Sequence, residues 1–482
     1  MLEDIINERR KKLEEYKKAG LEPYPAKVKR DFLIAEFLEG FSDLVKSGKQ
    51  VYVVGRFSAW RDQGKIIFSD IKDKSGKTQI IFNQKEIANF DLIQKTFEAG
   101  DFAEISGIAF ETQRGEKSLL AKTARIIAKE LRPLPSDWYG LTDTEKRLRQ
   151  RYLDLLINEN TKDVFVKKAK FWKTMRNYLE KADFLEVETP VLEAIPGGAE
   201  AEPFMTHHNA LNQDFYLRIS PELSLKRLII GGFEKIFEIG RIFRNEGIDA
   251  EHLQDYTQME MYWAYQDYEG LMKFLEKMLK KVIKETVGEL QTNCNGEKIN
   301  WGGKWPKSDY YKLFKEASGI NLKKTSEDEL LKKAIELKVE SAEKKLGRGR
   351  LIDLIYKKTV RPKLIQPAFL VNPPAEVEPL AKRWRKDETR VERFQIVACG
   401  TELGKGFSEL NDPIDQRTRF EEQKRLRVAG DKEAQMFDED YLEAMEHGMP
   451  PTAGFGISER FFAILMNKSV RECVFFPLMR KK

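Results

Sequence analysis

Hydrophobic and polar residues alternate in two stretches of residues 237–264, separated by about nine residues. Apolar residues recur at every second position, with Phe237 and Ile239 in the first stretch and Met259 and Met261 in the second. This period of two predicts a pair of β-strands, each with one face in the hydrophobic core. In chain order the opposite faces carry Glu238, Arg244, Glu246, Gln258, Glu260 and Tyr262.

These polar side chains would lie on the same face of the sheet if the two strands pair as an antiparallel hairpin. A guanidinium, carboxylates and a phenol, with His252 and Tyr256 in the loop above them, would suit an anionic, metal-bound substrate. A solvated lattice of salt bridges on an exposed strand would produce the same pattern. The alternation alone therefore does not distinguish a substrate-binding site from an ordinary exposed surface, and both interpretations are equally compatible with it.

Five short runs rich in β-branched residues lie between residues 51 and 128, with a helix-like stretch near residues 85–98 after the third run. This order predicts a five-stranded OB-fold barrel, a fold that commonly binds oligonucleotides. Phe68 would stack on an unstacked base and Gln79 would hydrogen-bond to it, whereas the alternative places both in the ordinary barrel surface.

Apolar residues at helical spacing predict several helices outside the barrel, around residues 2–19, 32–44, 161–182 and 328–346. Prolines and a glycine in residues 129–150 are typical of a linker between domains. We therefore expect an N-terminal domain over residues 1–135 and a second domain over residues 136–482.

Composition and charge add weak constraints. A net charge of +6 and a pI near 8.8 favour a polyanionic partner only slightly. The separated Cys294, Cys399 and Cys473 exclude a disulfide framework and disfavour a cysteine zinc site. No stretch reaches the ~18 consecutive apolar residues of a membrane span. We expect a cytoplasmic protein with reduced thiols and no membrane partner.

Three segments resemble the signature motifs of the class II aminoacyl-tRNA synthetases. The sequence Phe243-Arg244-Asn245-Glu246, followed by Gln258-Met259-Glu260, resembles the second motif. Residues 184–192, which contain Pro190, resemble the first motif, and residues 449–465 resemble the third. Because the first motif forms the dimer interface in that family, the resemblance implies a homodimer through the segment containing Pro190.

Other segments resemble the bacterial lysyl enzymes of this class. They are residues 195–199, the sequence YLRISPELSLKRLI, and residues 366–383 and 393–413. The barrel region is similar to the anticodon-binding domain shared by the lysyl, aspartyl and asparaginyl enzymes. The resemblance implies an α+β protein, with an N-terminal five-stranded OB-fold β-barrel followed by a class II catalytic domain whose antiparallel sheet is flanked by helices.

The resemblance also implies roles for individual residues. The implied ATP-binding residues are Arg244, Glu246, His252, Tyr256, Glu402 and Arg460, of which Arg244, Glu246 and Arg460 are also implied to be catalytic. The implied lysine-binding residues are Gly198, Glu222, Glu260, Tyr262, Phe407 and Glu409. The implied metal ligands are Glu402 and Glu409, and the implied anticodon-binding residues are Phe68, Gln79 and Glu116.

The reaction implied by the resemblance is the ATP-dependent ligation of L-lysine to tRNA(Lys) through a lysyl-adenylate. Two or three Mg²⁺ ions would accompany ATP, since magnesium bridges phosphate oxygens and accepts carboxylate ligands. Neither step requires a nucleophile from the enzyme. Catalysis would therefore rest on positioning and on neutralising charge that develops on phosphate oxygens.

Departures from the family pattern leave alternatives open. The family usually has glutamate at the position of Gln395 and asparagine at that of Lys405, and the third motif is one residue shorter before Arg460. Lys405 would place a like charge beside a cationic substrate unless its side chain turns away. One alternative is a non-catalytic tRNA-binding paralogue. An aspartyl or asparaginyl enzyme is another, although an acidic pocket disfavours an anionic substrate.

Overall fold

The computed structural model describes residues 2–134, 141–247, 249, 251–339 and 347–480. The chain divides into two compact units, Met1–Gly140 and Leu141–Lys482. The predicted domain boundary at residues 135 and 136 falls on a stretch outside the described residues, so it stays a prediction.

A closed five-stranded barrel forms the centre of the first unit, with the strand order β1-β2-β3-β5-β4. In chain order the elements are α1 (Leu2–Lys18), α2 (Ile34–Glu39), α3 (Phe41–Ser47), β1 (Val51–Asp62), β2 (Ile66–Lys72), β3 (Lys77–Asn83), α4 (Phe90–Thr96), β4 (Phe102–Glu111) and β5 (Lys117–Ala128). Alternate residues such as Val53, Ile67 and Ile80 point into the barrel and are fully buried. The predicted OB fold is confirmed.

The helix predicted around residues 32–44 is two helices. Gly40 ends α2 and begins α3, and glycine is a poor residue for a helix interior because its backbone loses more freedom than that of other residues. The amphipathic spacing that predicted one helix therefore holds on both sides of a break.

The second unit contains the remaining helices and strands. Its first half consists of α5 (Thr144–Arg149), α6 (Arg151–Ile157), α7 (Glu159–Glu180), β6 (Leu185–Glu186), β7 (Leu192–Glu193), β8 (Met205–His208), β9 (Gln213–Leu217), α8 (Glu222–Ile230), β10 (Lys235–Phe243), β11 (Asp255–Ala264) and α9 (Tyr268–Val287). Its second half consists of β12 (Gln291–Cys294), β13 (Glu297–Asn300), β14 (Lys307–Asp309), α10 (Tyr310–Ser318), α11 (Glu327–Glu336), α12 (Arg348–Thr359), β15 (Ala368–Val371), β16 (Arg383–Trp384), β17 (Asp387–Val391), β18 (Arg393–Ala398), β19 (Thr401–Ser408), α13 (Pro413–Val428), α14 (Glu439–Glu446), β20 (Thr452–Ser458) and α15 (Arg460–Leu465).

An eight-stranded sheet organises this unit, with the order β14-β15-β18-β19-β20-β11-β10-β6. The six central strands are antiparallel, and β14 and β6 pair in parallel at the two edges. The predicted hairpin is present as β10 and β11, with Phe237 opposite Met261 and Glu238 opposite Glu260. The connection covers residues 244–254, slightly longer than predicted, and Tyr256 lies on β11 instead of in the loop.

Two long helices, α7 and α9, cover one face of the large sheet. Phe171 and Met175 of α7 and Leu275 of α9 are fully buried in one cluster with Phe237 and Met261 of the sheet. Burial of such side chains contributes about 1.5–3 kcal/mol each, which fixes that sheet face as the core. The opposite face is left for polar side chains.

The helix predicted over residues 328–346 ends earlier than expected. The α11 helix stops at Glu336, and residues 340–346 lie outside the described residues. Within the described part of the chain, no helix has both the length and the apolar composition needed to cross a membrane.

Candidate active site

One cavity of about 540 Å³ opens on the polar face of the large sheet, and all twelve residues predicted to bind ATP, lysine or metal line it. They come from loops, from helices α8 and α15 and from strands β11 and β19, so the chain brings together positions that are far apart in sequence. The alternation of β-strands produces this arrangement, because every second residue of β11, β20 and β19 faces the cavity.

Two carboxylates and an aromatic ring in this cavity surround the ammonium group of Lys226. Its Nζ lies 2.6 Å from Oε1 of Glu222, contacts Oε2 of Glu409, and lies 5.4 Å from the centre of the Phe407 ring. All four side chains are buried, and Oε1 of Glu409 has no hydrogen-bond partner among the described residues. The chemistry of this end of the cavity therefore suits a primary ammonium group.

The protonation of these groups follows from burial and charge. Burial raises the pKa of the Glu409 carboxyl well above its usual value, and it also raises the pKa of Glu222. Burial alone would lower the pKa of Lys226, but the two carboxylates outweigh it and raise that pKa. Lys226 is therefore charged, and it neutralises part of the acidic pocket.

Glu260 positions its neighbours. Its carboxylate accepts hydrogen bonds from Ser220 Oγ at 2.6 Å, from Gln258 Nε2 at 2.6 Å and from the Tyr262 hydroxyl at 2.9 Å. Burial, followed by repulsion from Glu222, raises the pKa of Glu260 to about 7. Because both oxygens have partners, Glu260 holds the phenol of Tyr262 at the cavity wall.

Glycines keep the cavity open at two points. A Cβ on Gly454 would lie 2.1 Å from Oε1 of Glu409 and 2.6 Å from the Tyr262 ring. A Cβ on Gly198 would lie 2.6 Å from Cβ of Glu222, and this glycine also has a φ of +82°. Both positions exclude larger residues because the space beside them is taken by the acidic pocket.

Arg244 and Tyr256 form a cationic and aromatic part of the lining. Nε of Arg244 donates to the carbonyl of Ile219 at 3.3 Å, and the guanidinium lies 5.6 Å from the centre of the Tyr256 ring. Burial raises the pKa of the Tyr256 phenol, so it stays neutral. A flat ring beside a held guanidinium can stack on a base and pair with a phosphate.

Arg460 reaches the same cavity despite the shorter third motif. It begins α15 two residues after the end of β20, and its Nε donates to the carbonyl of Glu251 at 3.3 Å. In the loop that contains Glu251, Nδ1 of His252 lies 2.7 Å from Oδ2 of Asp249. The missing residue therefore does not remove the arginine from the site.

A β-bulge brings Glu402 to the cavity face of β19. Ile396 pairs with Gly404 and Val397 with Glu402, so one residue of β19 is left over between these pairs. The amide of Gln395 donates to Oε2 of Glu402, which leaves the other carboxylate oxygen available. Lys405 lies directly across from Gln395 and turns toward Glu378, at 2.9 Å.

The expectation that Glu402 and Glu409 hold Mg²⁺ stays a prediction for each residue, but their positions disfavour a single shared ion. They flank opposite ends of β19, about 20 Å apart at ~3.3 Å per residue, so one ion cannot contact both. Glu409 is also paired with Lys226. Glu402 and the side-chain oxygen of Gln395 are hard oxygen donors that fit magnesium, and no cation among the described residues lies at bonding distance from either.

The residues predicted to bind an anticodon lie on the outer face of the barrel. Phe68 on β2 and Gln79 on β3 are diagonal neighbours, since Asp70 pairs with Gln79 and Phe68 with Ile81. Gln79 accepts a hydrogen bond from Ser118 at 3.0 Å. Phe68 and Gln79 are partly exposed, and Glu116 is exposed in the turn before β5.

Sequence reasoning did not assign Glu378 and Arg393, which are two of the charged residues that line the cavity, or the buried Lys226, which contacts Glu222 and Glu409. Lys226 has a sequence signal, because it follows Glu222 by four residues on one helix and such pairs are neighbours. Glu378 and Arg393 carry no such signal, since only the strand order places them beside each other.

The sequence matches two known protein families. Residues 143–480 match the family described as tRNA synthetases class II (D, K and N), and residues 37–127 match the OB-fold nucleic acid binding domain. The chain belongs to the class II aminoacyl-tRNA synthetases. The family predicted from the motifs is thereby confirmed.

Similar members of this synthetase family share the full length of the chain. The lysine–tRNA ligase of Carboxydothermus hydrogenoformans is 42% identical, and the alignment covers 100% of this chain and 99% of that protein. The lysine–tRNA ligase of Roseiflexus castenholzii is also 42% identical with the same coverage. The lysine–tRNA ligase of Nostoc punctiforme is 40% identical over 99% of this chain and 88% of that protein.

Proposed function

We propose that this chain joins L-lysine to tRNA(Lys) in two steps, with lysyl-adenylate as the intermediate. The observation that carries the proposal is the convergence of all twelve predicted residues on one cavity. That cavity offers carboxylates for an ammonium group at Glu222 and Glu409 and a guanidinium for a phosphate at Arg244. The full-length similarity to lysine–tRNA ligases supports the choice of lysine.

In the first step a carboxylate oxygen of lysine attacks the α-phosphorus of ATP. The bond from that phosphorus to the bridging oxygen breaks, and pyrophosphate leaves with its electron pair. Arg244 neutralises charge on the α-phosphate, Arg460 and His252 contact the distal phosphates, Tyr256 stacks on adenine, and Glu246 orients the nucleotide. Glu222, Glu409, Phe407 and Tyr262 hold the ammonium groups of lysine, with Gly198 leaving room for them.

In the second step a hydroxyl of the terminal ribose of tRNA attacks the acyl carbon, and AMP leaves. The barrel binds the anticodon, with Phe68 stacking on a base and Gln79 and Glu116 forming hydrogen bonds. A cytoplasmic location follows from this role in translation.

Magnesium would be held by Glu402 with the side-chain oxygen of Gln395, and the phosphates of ATP and water would complete the coordination. When bound, the two or three ions supply positive charge between the phosphate groups. Gln395 is neutral where the family usually has a glutamate, so we expect a weaker site for one of these ions.

The test of the proposal is lysine-dependent ATP–pyrophosphate exchange without tRNA, measured against each amino acid. We expect exchange with lysine alone, and we expect Arg244→Ala to reduce it by about 1,000-fold, because a fixed donor to a developing phosphate charge is lost. Thermal unfolding should remain near that of the unsubstituted chain.

The control is Arg241→Ala, which removes an exposed arginine of the same hairpin that is paired with Asp255 outside the cavity. It should leave the exchange rate within about twofold. Near-normal exchange in Arg244→Ala would refute the role of that residue. If the unsubstituted chain shows no pyrophosphate exchange with any amino acid, the result would favour the non-catalytic tRNA-binding paralogue.

We also propose a homodimer through the segment that contains Pro190. Leu185, Val191 and Leu192 in this segment are 50%, 39% and 48% exposed, an apolar strip that a second copy would cover. Leu192→Asp should shift the mass in analytical ultracentrifugation from dimer to monomer. Val428→Asp, at an 84% exposed position elsewhere, should leave the mass unchanged, and a monomeric unsubstituted chain would end the proposal.

A further inference from the structure

The helix α12 and the turn after it present a row of charged side chains to the cavity. Arg350, Asp353, Lys357 and Arg361 all line the cavity, at spacings of three, four and four residues. Side chains at these spacings share one face of a helix. Ile355 on the opposite face is fully buried in a hydrophobic cluster, so packing fixes which face of α12 lines the cavity.

Two cations of this row have carboxylate partners at close range. Nζ of Lys357 lies 2.7 Å from Oδ2 of Asp353, one turn earlier on the same helix. The Arg350 guanidinium lies 2.6 Å from Oε2 of Glu433 and 3.7 Å from Oε2 of Glu200. Because both cations are paired within the chain, neither needs a ligand to balance its charge.

Arg361 lacks a partner of this kind. Of the carboxylates in the described part of the chain, only that of Glu251 comes within 4 Å of its guanidinium, with 4.0 Å between Nη2 and Oε2. That separation is too long for a hydrogen bond. Nε of Arg361 is buried and has no hydrogen-bond partner among the described residues, whereas most buried polar groups have one. Arg361 is therefore a cationic donor without an acceptor.

The loop of residues 244–254 places Arg361 beside Arg460. The side chain of Glu251 approaches Arg361, and its main-chain carbonyl accepts a hydrogen bond from Nε of Arg460 at 3.3 Å. His252 follows Glu251 and also lines the cavity. Arg460 and His252 are the residues proposed above to contact the distal phosphates, so Arg361 lies at that end of the cavity.

The turn after α12 also places Arg361 near Glu402. Pro362 packs on the connection between β18 and β19, where a Cβ on Gly400 would lie 3.4 Å from Cα of Pro362. Glu402 follows two residues after Gly400, on β19. Burial raises the pKa of the Tyr356 phenol and Glu402 raises it further, whereas Arg361 lowers it. Both charges are therefore close to this one side chain of α12.

Carboxylates face this end of the cavity together with the arginines. Glu251 and Glu402 line the same space as Arg361 and Arg460, so the preference for phosphate rests on the unpaired Nε and not on an excess of positive charge. A guanidinium offers planar donors that fit two oxygens of one phosphate. A metal-bound polyphosphate carries charges of both signs, which complements a surface of both signs.

We propose that Arg361 binds the distal phosphates of ATP and the pyrophosphate that leaves. The inference rests on the proposed function, since it takes the cavity to be the site of adenylate formation. The donors of Arg361 pair with oxygens of the β- or γ-phosphate, while Arg244 stays on the α-phosphate. The turn after α12 thus adds a phosphate-binding residue from outside the three signature motifs.

The test compares two nucleotides that differ only in the distal phosphates. Isothermal titration calorimetry with magnesium and without lysine measures the binding of ATP and of AMP to the full chain. Arg361→Gln should weaken ATP binding by about tenfold or more, because a charge-assisted hydrogen bond to phosphate is lost. AMP has only the α-phosphate, so its affinity should change by less than about twofold.

Pyrophosphate exchange gives a second measurement on the same variant. Arg361→Gln should raise the KM for ATP and the KM for pyrophosphate by about tenfold each. The KM for lysine should stay within about twofold, because Glu222 and Glu409 contact neither Arg361 nor its neighbours. Arg361→Lys keeps the charge but not the planar donors, so it should retain part of the ATP affinity.

The matched control is Arg348→Gln, which removes an arginine at the start of α12 whose side chain is 24% exposed, against 22% for Arg361. Arg348 contacts Glu376 and does not line the cavity. This variant should leave both affinities and all three KM values unchanged, and thermal unfolding checks that every variant is folded.

Equal weakening of ATP and AMP in Arg361→Gln, or no weakening of either, would overturn this inference. The proposed function would stand in that case, provided that the unsubstituted chain shows lysine-dependent exchange. Failure of the unsubstituted chain to bind ATP would overturn both.

Discussion

Charge pairing decides the chemistry of the cavity at the scale of single residues. The sequence predicted that Glu222 and Glu409 bind the substrate. In the structure the ammonium of Lys226 already contacts both of these residues. A buried carboxylate without a cation is costly, so Lys226 stabilises the folded pocket before substrate arrives. The substrate ammonium therefore joins an existing ion cluster.

Glu193 allows a prediction about pH at this scale. Its Oε2 is buried and makes no hydrogen bond among the described residues, and burial raises the pKa of the carboxyl to about 8. The folded state thus holds this proton more tightly than the unfolded state. The bound proton therefore contributes to the free energy of unfolding. This contribution is fully present below the unfolded pKa near 4.5 and is lost as pH rises toward 8.

We expect Glu193→Gln to raise the free energy of unfolding relative to the unsubstituted chain as pH increases. The gain between pH 5.5 and pH 8 should be on the order of 2 kcal/mol, measured by urea unfolding at both values. Glu289→Gln, at an exposed glutamate, is the control and should show no such gain. A Glu193→Gln effect that is the same at both pH values would contradict the assignment.

At the scale of elements, the paired strands β19 and β20 carry glycines on both faces of the sheet. One face borders the cavity and the other belongs to the hydrophobic core. Gly454 faces Glu409 and Tyr262 on the cavity side. Gly406 on β19, whose partner on β20 is Phe455, faces the ring of Phe394 in the core. An added methyl group at the two positions therefore meets different surroundings.

We predict that Gly454→Ala impairs lysine activation. The new Cβ would displace the Glu409 carboxylate, so kcat/KM for lysine in pyrophosphate exchange should fall by about 100-fold or more, mostly through KM. The free energy of unfolding should change less than activity does.

Gly406→Ala is the matched variant on the core side of the same strand pair. Overpacking against Phe394 should lower the free energy of unfolding by about 1–3 kcal/mol, measured by urea denaturation. Lysine KM should stay near normal in the fraction that folds. If both variants lost activity and stability alike, the division of the strand pair into two faces would be wrong.

At the scale of the whole molecule, the two units carry separate tasks in the proposed reaction. The partly exposed aromatic Phe68 lies in the unit Met1–Gly140, and every residue assigned to adenylate formation lies in the unit Leu141–Lys482. Binding of the anticodon and activation of lysine should therefore respond to different substitutions.

Phe68→Ala should lower kcat/KM for tRNA in aminoacylation by about 10–100-fold, because stacking on one base contributes about 1–3 kcal/mol. Lysine-dependent pyrophosphate exchange without tRNA should be unchanged. Phe102→Ala is the control, since this ring is 39% exposed at the start of β4 and packs on Arg56 of β1. An equal loss in both variants would argue against an anticodon role for Phe68.

The sequence by itself determined the elements, the polar faces and the family. Alternation along β10 and β11 predicted the hairpin, because the direction of a strand side chain depends only on its own position. The motifs around Arg244, Pro190 and Arg460 identified the synthetase fold, and the five runs of residues 51–128 identified the barrel.

Only the tertiary structure decided how charges pair across the cavity. The contacts of Lys226 with Glu409 and of Lys405 with Glu378 join residues from separate elements, so they depend on strand order and on packing. The separation of Glu402 and Glu409 also depends on the fold. Both residues line one cavity, but they lie too far apart to share one ion. Local periodicity shows which way a side chain points, whereas the partner it meets is set by the fold.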